Sequence, residues 1–270
     1  MLQLARDGPG ELLFIGGDSS RIFFRGEMSE VVLITGSNGG IGAAVAEYLL
    51  AKGERNLAFH YRSNSDKIEA MARRYDLDPE KHLFQAELCS EDGLTELRQS
   101  IEGKLGTVWG LVNIAGASSN AMSWKMSLSD FRKVIDDNLT ATFLSCREFI
   151  PGMRSGNSGR IINFSSIVAS TGAAGAAHYC AAKGGIESFT KAISLELAPK
   201  NITANTIALG FFKYGLINHL NQEVQMEVKE KIPLKRLGTA ADIGSYIGFL
   251  LNPESSFTTG QVLHVNGGQY

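Results

Sequence analysis

The sequence predicts an α/β fold: a single domain built on a doubly wound parallel sheet of about seven strands with helices on both faces. Three observations predict it. Short apolar runs alternate along the chain with longer segments of helical periodicity. A glycine-rich stretch, residues 35–42 (TGSNGGIG), stands directly between the first apolar run and the first helical segment. Residues able to do chemistry recur where the apolar runs end, and in an open parallel sheet that edge binds ligands.

The 270-residue chain is 44% hydrophobic and 20% charged, an ordinary globular composition that suits one large α/β domain. A net charge of -2 and a pI near 6.2 give no electrostatic reason to expect nucleic acid or a membrane surface as partner. No apolar run approaches the length of a membrane span. Cys89, Cys146 and Cys180 are scattered and odd in number, which argues against a disulfide framework and for a reducing cytoplasm. The histidines show no ligand spacing with each other or with cysteine, so no metal is expected. Residues 1–27 read differently from the rest. Two apolar runs flank Gly16, Gly17 and Asp18 as in a small hairpin, without the basic start, long apolar centre and cleavage site of a signal peptide. This segment is expected to be an appendage or an upstream-start artefact, with the working domain at 28–270.

In chain order, residues 31–35 form the first strand, and Gly36, Gly40 and Gly42 shape the turn into a helix over 43–51. Such a turn brings backbone close to a pyrophosphate, and the helix N-terminus offers it free N–H groups and a positive dipole end. Ser37, Asn38 and Ile41 complete this candidate phosphate site. The second strand, 56–61, ends at Arg62, with no acidic residue before Asp66. An acid there would bind the ribose 2′-hydroxyl, and an arginine accommodates a 2′-phosphate, so NADP is favoured and NAD is the alternative. A helix over 64–75 leads to a third strand, 82–88, ending at Glu87 and Leu88, and a helix follows over 91–105. The fourth strand begins at 108, and its exit, Asn113, Ala115 and Gly116, is small enough for a cofactor to lie flat across it.

A long helix is expected over 127–150, capped by Ser127 or Ser129 and ended by Pro151. Asn138 lies among its apolar positions, and a buried amide must be hydrogen-bonded, either as a structural link or as a functional one. Residues 161–164 form a buried strand that ends in Ser165 and Ser166. After a loop of small residues come Tyr179 and Lys183, one turn apart on a helix whose apolar positions are Ile186, Phe189, Ile193 and Leu197. An ammonium beside a phenol favours the phenolate and lowers a pKa normally near 10, giving a proton donor usable near neutral pH. A Tyr-x3-Lys pair alone is a weak signal, and it gains weight only beside a built hydride-donor site. A sixth strand, 202–208, precedes an apolar loop, 209–217, that contains Gly210 and Phe212 and is placed to act as a substrate lid. A polar helix to about 231, a helix over 240–251 and a last strand over 261–265 complete the chain.

These motifs resemble the short-chain dehydrogenase/reductase family over about residues 30–268: Thr35-Gly-x3-Gly-Ile-Gly42, Asn113-x-Ala-Gly116, Asn138, Ser166, Tyr179-x3-Lys183 and the Pro233 to Gly238 and Thr259 to Gly268 endings. Among its members the chain is most similar to the 3-oxoacyl-[acyl-carrier-protein] reductases. The resemblance implies a Rossmann fold, with NADPH along the strand ends and a carbonyl reduced to a secondary alcohol. In that role Tyr179 donates the proton, and Lys183 lowers its pKa and contacts the nicotinamide ribose. Ser166, thirteen residues before Tyr179, binds the carbonyl oxygen, Asn138 fixes a relay water and Asn113 braces the sheet. Glu87, Leu88, Gly210 and Phe212 fall on cofactor-contacting positions.

The chain departs from the family where Gly39 replaces a frequent basic residue, Glu87 an aspartate, Leu209 a proline and Tyr214 a threonine. In carrier-protein reductases basic residues near the site receive the acidic carrier. Lys200 matches one such position, and Asn157 stands where another is often basic. Relatives form homotetramers or homodimers through the long helices, here 127–150 and 178–198, and through the last strand. Two other readings stand beside this one. The apolar Phe211, Phe212, Tyr214, Leu216 and Ile217 also suit another small ketone or secondary alcohol in a specialised pathway. A non-catalytic dinucleotide-binding protein is the third reading, against which the complete set of Asn138, Ser166, Tyr179 and Lys183 argues.

Overall fold

The computed structural model describes residues 30–215, 217 and 221–270. The hairpin expected before residue 28 and Leu216 of the apolar loop lie outside the described residues. The chain runs β1 (Val31–Thr35), α1 (Gly40–Ala51), β2 (Leu57–Tyr61), α2 (Asp66–Arg74), α3 (Pro79–His82), β3 (Leu83–Gln85), α4 (Glu91–Lys104) and β4 (Val108–Asn113). It continues with α5 (Leu128–Ile135), a π-helical turn (Asp136–Thr140), α6 (Ala141–Gly156), β5 (Gly159–Ser166), α7 (Val168–Thr171) and α8 (Ala177–Leu197). The last elements are β6 (Ile202–Leu209), α9 (Gln222–Lys231), α10 (Ala240–Leu251) and β7 (Val262–Val265).

The seven strands form one sheet in the order β3-β2-β1-β4-β5-β6-β7, and every pairing is parallel. The strands read as continuous apolar runs because helices cover both faces. On β1, Val32 and Ile34 pack on one side with residues of α1 and α10. Val31 and Leu33 pack on the other with residues of α4, α6 and α8. The strand order reverses between β1 and β4, so the carboxyl ends of these two strands open a crevice.

Local chemistry sets the helix ends. Ser90, Ser127 and Asn221 cap α4, α5 and α9 through their side-chain oxygens. A capping box joins Thr239 and Asp242 at α10. The Arg236 guanidinium grips the same Asp242 at 2.6 and 2.9 Å and, with the Thr239 bonds, holds its carboxyl well below the usual carboxylate range. Along α10, Ile243, Ile247, Leu250 and Leu251 are buried at helical spacing, each worth about 1.5–3 kcal/mol of burial.

Two expected elements differ. The helix expected over 127–150 is interrupted at Asp136–Thr140 by the π turn and runs on past Pro151 to Gly156. Asn138 explains the interruption. Its side-chain amide donates to the Val134 carbonyl at 2.9 Å, the acceptor that its backbone N–H would use in a regular helix. Pro151 removes only one ladder bond near the helix end, where Phe149 and Met153 are anchored in the core. The helix stops instead at Asn157, which adopts the left-handed conformation. The strand expected over 82–88 is confined to Leu83–Gln85, because Asp78 and Pro79 start a short helix that absorbs His82.

Candidate active site

A cavity of about 680 Å³ runs along the carboxyl ends of the strands. Its walls bring together Gly36, Asn38, Gly40, Ile41, Gly42, Arg62, Glu87, Leu88, Ala115, Gly116, Asn138, Ser166, Tyr179, Lys183, Gly210 and Phe212. Residues assigned separately from the sequence therefore meet in one site.

At one end lies the glycine-rich turn. Gly42 belongs to the first turn of α1 and packs so closely on the Gly36 carbonyl that no side chain fits. The N-terminus of α1 has no side-chain cap and no acidic residue in its first turn, so its N–H groups and dipole are left for an external anion. Asn38 faces this turn, but its side chain is engaged: Oδ1 accepts from the Lys67 and Ile68 N–H groups at 3.1 and 3.2 Å, and Nδ2 donates to Asn64 at 3.1 Å. It thereby caps α2 from a distance. Arg62 pairs with Asp137 at 3.7 Å, and Lys133 holds the same carboxylate at 2.8 Å.

Two residues assigned to the cofactor turn away from the cavity. Ser37 is fully buried and donates to the Ile34 carbonyl at 2.6 Å, an internal bond that fixes the turn. Asn113 is buried beneath the site and donates to Asn163 Oδ1 at 2.9 Å, a link within the sheet. Asn163 in turn donates to Thr190 Oγ1 on α8 at 2.9 Å. This polar link crosses β4, β5 and α8, and its one visible mark in the sequence is a polar residue inside the apolar run 161–164.

At the other end Lys183 is buried, and its Nζ donates to the Phe164 carbonyl at 3.0 Å and lies 5.5 Å from the centre of the Tyr179 ring. Asn138 Nδ2 donates to the Ala117 carbonyl at 2.7 Å, which leaves Oδ1 buried without a hydrogen-bond partner. Gly116 has no room for a Cβ, which would run into that Oδ1 and lie 3.5 Å from Lys183 Nζ. The orphaned acceptor and the ammonium thus share one small space, as a polar ligand or relay would require. Ser165 and Ser166 separate cleanly: Ser165 Oγ is spent on Glu187 at 2.7 Å and the Lys183 carbonyl at 3.1 Å, whereas Ser166 is half-buried with only a 3.5 Å contact from the Val168 N–H.

Burial dominates the titration of the pair. It pushes the Tyr179 phenol up to about 12 and pulls the Lys183 ammonium down to about 8. In the protein alone, burial thus holds the Tyr179 phenol up, in the direction opposite to the lowering expected from a neighbouring ammonium.

Tyr214, marked in the sequence as a departure from the family, lines the cavity too; His60, Asn64, Asp137 and Ala176 also line it and were not singled out from the sequence, since nothing in their spacing marks them. Phe212 is buried and pairs in parallel with Gly238, so this part of the apolar loop is pinned and not a free lid. Lys200 and Asn157 stand just before β6 and β5, at the opposite edge of the sheet from the cavity. Among the described residues no cluster of His, Cys, Asp and Glu could hold a metal ion, and no helix is long and apolar enough to cross a membrane.

The family model described as enoyl-(acyl carrier protein) reductase matches residues 36–269. Nodulation protein G of Rhizobium sp. (strain N33) is 37% identical over 236 residues, 87% of this chain and 95% of the relative. The 3-oxoacyl-[acyl-carrier-protein] reductase FabG of Staphylococcus epidermidis is 35% identical over 244 residues, covering 90% of this chain and all of the relative. The FabG reductase of Rickettsia conorii is 39% identical over 236 residues, 87% of this chain and 95% of the relative.

The buried Lys183 charge has a measurable consequence. Its pKa lies near 8 in the folded protein against 10.5 for the free side chain. Between those values the unfolded chain binds more protons, so stability rises with pH. Urea unfolding of the ligand-free protein should show a gain of about 2 kcal/mol from pH 7.5 to 9.5 that is absent in Lys183→Met. An identical pH dependence in both proteins would mean that burial does not lower the Lys183 pKa.

Proposed function

The chain belongs to the short-chain dehydrogenase/reductase family, an oxidoreductase family that acts on CH–OH and C=O groups with a nicotinamide cofactor, and from that premise we propose that it is an NADPH-dependent ketoreductase that converts a 3-oxoacyl thioester to the 3-hydroxyacyl form. The observation that carries this reading is the convergence of Ser166, Tyr179, Lys183 and Asn138 on one end of a cavity whose other end holds the glycine-rich turn and Arg62. The names of the curated relatives supply the substrate class.

The residues fit a dinucleotide. The uncapped start of α1 suits its pyrophosphate, Arg62 suits a 2′-phosphate, and Lys183 has two N–H groups beyond the one bound to Phe164 with which to hold ribose hydroxyls. When bound, the cofactor supplies hydride to the carbonyl carbon. Ser166 Oγ donates a hydrogen bond to the carbonyl oxygen and keeps it beside the Tyr179 hydroxyl. Tyr179 gives its proton to that oxygen as negative charge develops. A phenol that burial keeps protonated is in the correct form to do so. Lys183 then stabilises the phenolate left behind, and the unpartnered Asn138 Oδ1 is placed to hold the water through which Tyr179 regains a proton.

We further propose a homotetramer or homodimer. Phe143 on α6 and Leu195 on α8 are 41% and 78% exposed, Tyr246 and Phe249 on α10 and Phe257 before β7 are exposed as well, and the edge strand β7 is half-buried. Cys89, Cys146 and Cys180 are all free thiols, which suits a reducing compartment such as the cytoplasm.

The test follows reduced-nicotinamide absorbance with acetoacetyl thioester, its carrier-protein form, a crotonyl thioester and simple ketones. NADPH oxidation with the oxoacyl thioesters is expected. Oxidation with the crotonyl thioester alone would replace this reading with enoyl reduction, and oxidation with ketones alone would move the substrate to another carbonyl.

Tyr179→Phe should lower turnover by at least about 100-fold, the scale of a lost general acid, with the NADPH dissociation constant changed less than about threefold. Near-normal turnover in that variant would remove Tyr179 as the proton donor. Arg62→Asp should weaken NADPH binding by about 10- to 100-fold and spare NADH, the loss expected for one charge-assisted contact and an added repulsion. An unchanged NADPH to NADH ratio would take Arg62 out of the 2′-phosphate site.

A further inference from the structure

Near its carboxyl end β2 carries a histidine with no role in the reaction described above. His60 is 2% exposed on the sheet and also lines the cavity. Both ring nitrogens are engaged. The Gly36 N–H donates to Nδ1 at 3.1 Å, and Nε2 lies 3.1 Å from the Ala86 carbonyl oxygen. These partners fix the tautomer. A carbonyl only accepts, so Nε2 carries the hydrogen, and Nδ1 must be bare to accept from Gly36. The His60 carbonyl also accepts from the Ser37 N–H at 2.8 Å. One residue therefore holds two successive amides of the glycine-rich turn and ties them to the exit of β3.

We propose that His60 is a positioning residue for the dinucleotide: its neutral imidazole accepts from the Gly36 N–H and so fixes the shape of the glycine-rich turn, while the Ala86 bond serves to hold the ring and its tautomer in place. This rests on the reading of the cavity as a nicotinamide-dinucleotide site. The clamp acts on backbone common to both cofactors, so its loss weakens NADPH and NADH alike, unlike a change at Arg62. The imidazole must remain neutral, because a second ring proton would set donor against donor at Gly36. Its surroundings enforce this. Burial is the main influence and lowers the pKa to about 4, the Ala86 bond and Glu87 pull upward, and Arg62 pulls downward.

Three substitutions separate the two halves of the clamp. His60→Asn places an acceptor where Nδ1 stood and loses the donor to Ala86. His60→Gln reaches Ala86 with a donor and loses the Gly36 acceptor. His60→Leu loses both. Dissociation constants for NADPH and NADH are measured by titration of the wild-type protein and the variants that match it in urea stability, from pH 5.5 to 8. The expected result is binding within about threefold of wild type for His60→Asn and weakening of both cofactors by about tenfold for His60→Gln and His60→Leu, the scale of one lost hydrogen bond to a buried amide. Long-range nitrogen–proton NMR of the wild-type ring should show the Nε2–H tautomer persisting down to pH 5.5. Equal affinities for the Asn and Gln variants, or a ring that titrates near the ordinary value of about 6.5, would overturn the clamp. Failure of the wild-type protein to bind either cofactor at pH 7.5 would instead overturn the dinucleotide reading on which it rests.

Discussion

The arrangement of the site follows from an ammonium group buried without a counter-ion. Lys183 has no salt bridge among the described residues, and its nearest fixed partner is a backbone carbonyl. Removing a charge from water in this way is costly unless dipoles replace the lost hydration. The structure supplies them from separate elements: the Phe164 carbonyl at the end of β5 and the face of the Tyr179 ring, with the unpartnered Asn138 Oδ1 across the space that a Gly116 side chain would fill. The mutual placement of β5, the π turn and α8 is thus constrained by the need to solvate one nitrogen. A carboxylate in the same space would satisfy the charge more cheaply, and it would cancel the field that favours a phenolate.

That placement is held from below. Asn113 and Asn163 stand opposite each other in the β4–β5 register, and their side chains continue the link to Thr190 on α8. A polar chain through an otherwise apolar layer contributes little net stability, and it penalises any slip that would leave its members unpaired. A one-residue shift of β5 against β4 would unpair both amides and turn Ser166 away from the cavity. β5 also carries Ser166 at its end, so the register that satisfies the amides is also the one that aims this hydroxyl into the cavity. Cys146 sits against this link, with burial raising its thiol to about 12, so it acts as packing and not as a nucleophile.

Much of this was legible in the sequence because hydrophobic periodicity and strand-end chemistry are local signals. The alternation of short apolar runs with helices is enough to predict a parallel sheet, and the carboxyl edge then collects Gly36, Arg62, Glu87, Gly116, Ser166 and Gly210 into one cavity. What was not legible depends on contacts between distant residues. The π turn exists because the Asn138 amide takes a carbonyl from its own helix and another from Ala117, twenty-one residues earlier. Pro151 reads as a stop signal, yet core packing of its neighbours overrides it. Ser37 and Asn113 belong to the cofactor motifs by spacing, and only the fold shows that their side chains point inward. His60 and Asn163 read as irregularities in apolar strands, since burial and partners give them their meaning.

The phosphate-binding turn shows why inward-pointing residues matter to the ligand. A glycine-rich turn has more backbone freedom to lose than any other, and a ligand that had to order it would bind weakly for its contact area. Here the ordering is done during folding. Ser37 ties the turn to β1, Asn38 ties it to the start of α2, and His60 ties it to β2 and the exit of β3. None of these side chains needs to touch the dinucleotide to raise its affinity. The N–H groups at the start of α1 are the ones left without a side-chain cap, so the restraints hold the turn still and leave its anion-binding face open. The residues that a motif search would assign to the cofactor thus divide into two groups, those that present backbone to it and those that keep that backbone in shape, and the second group is where substitutions far from the reacting atoms gain their leverage.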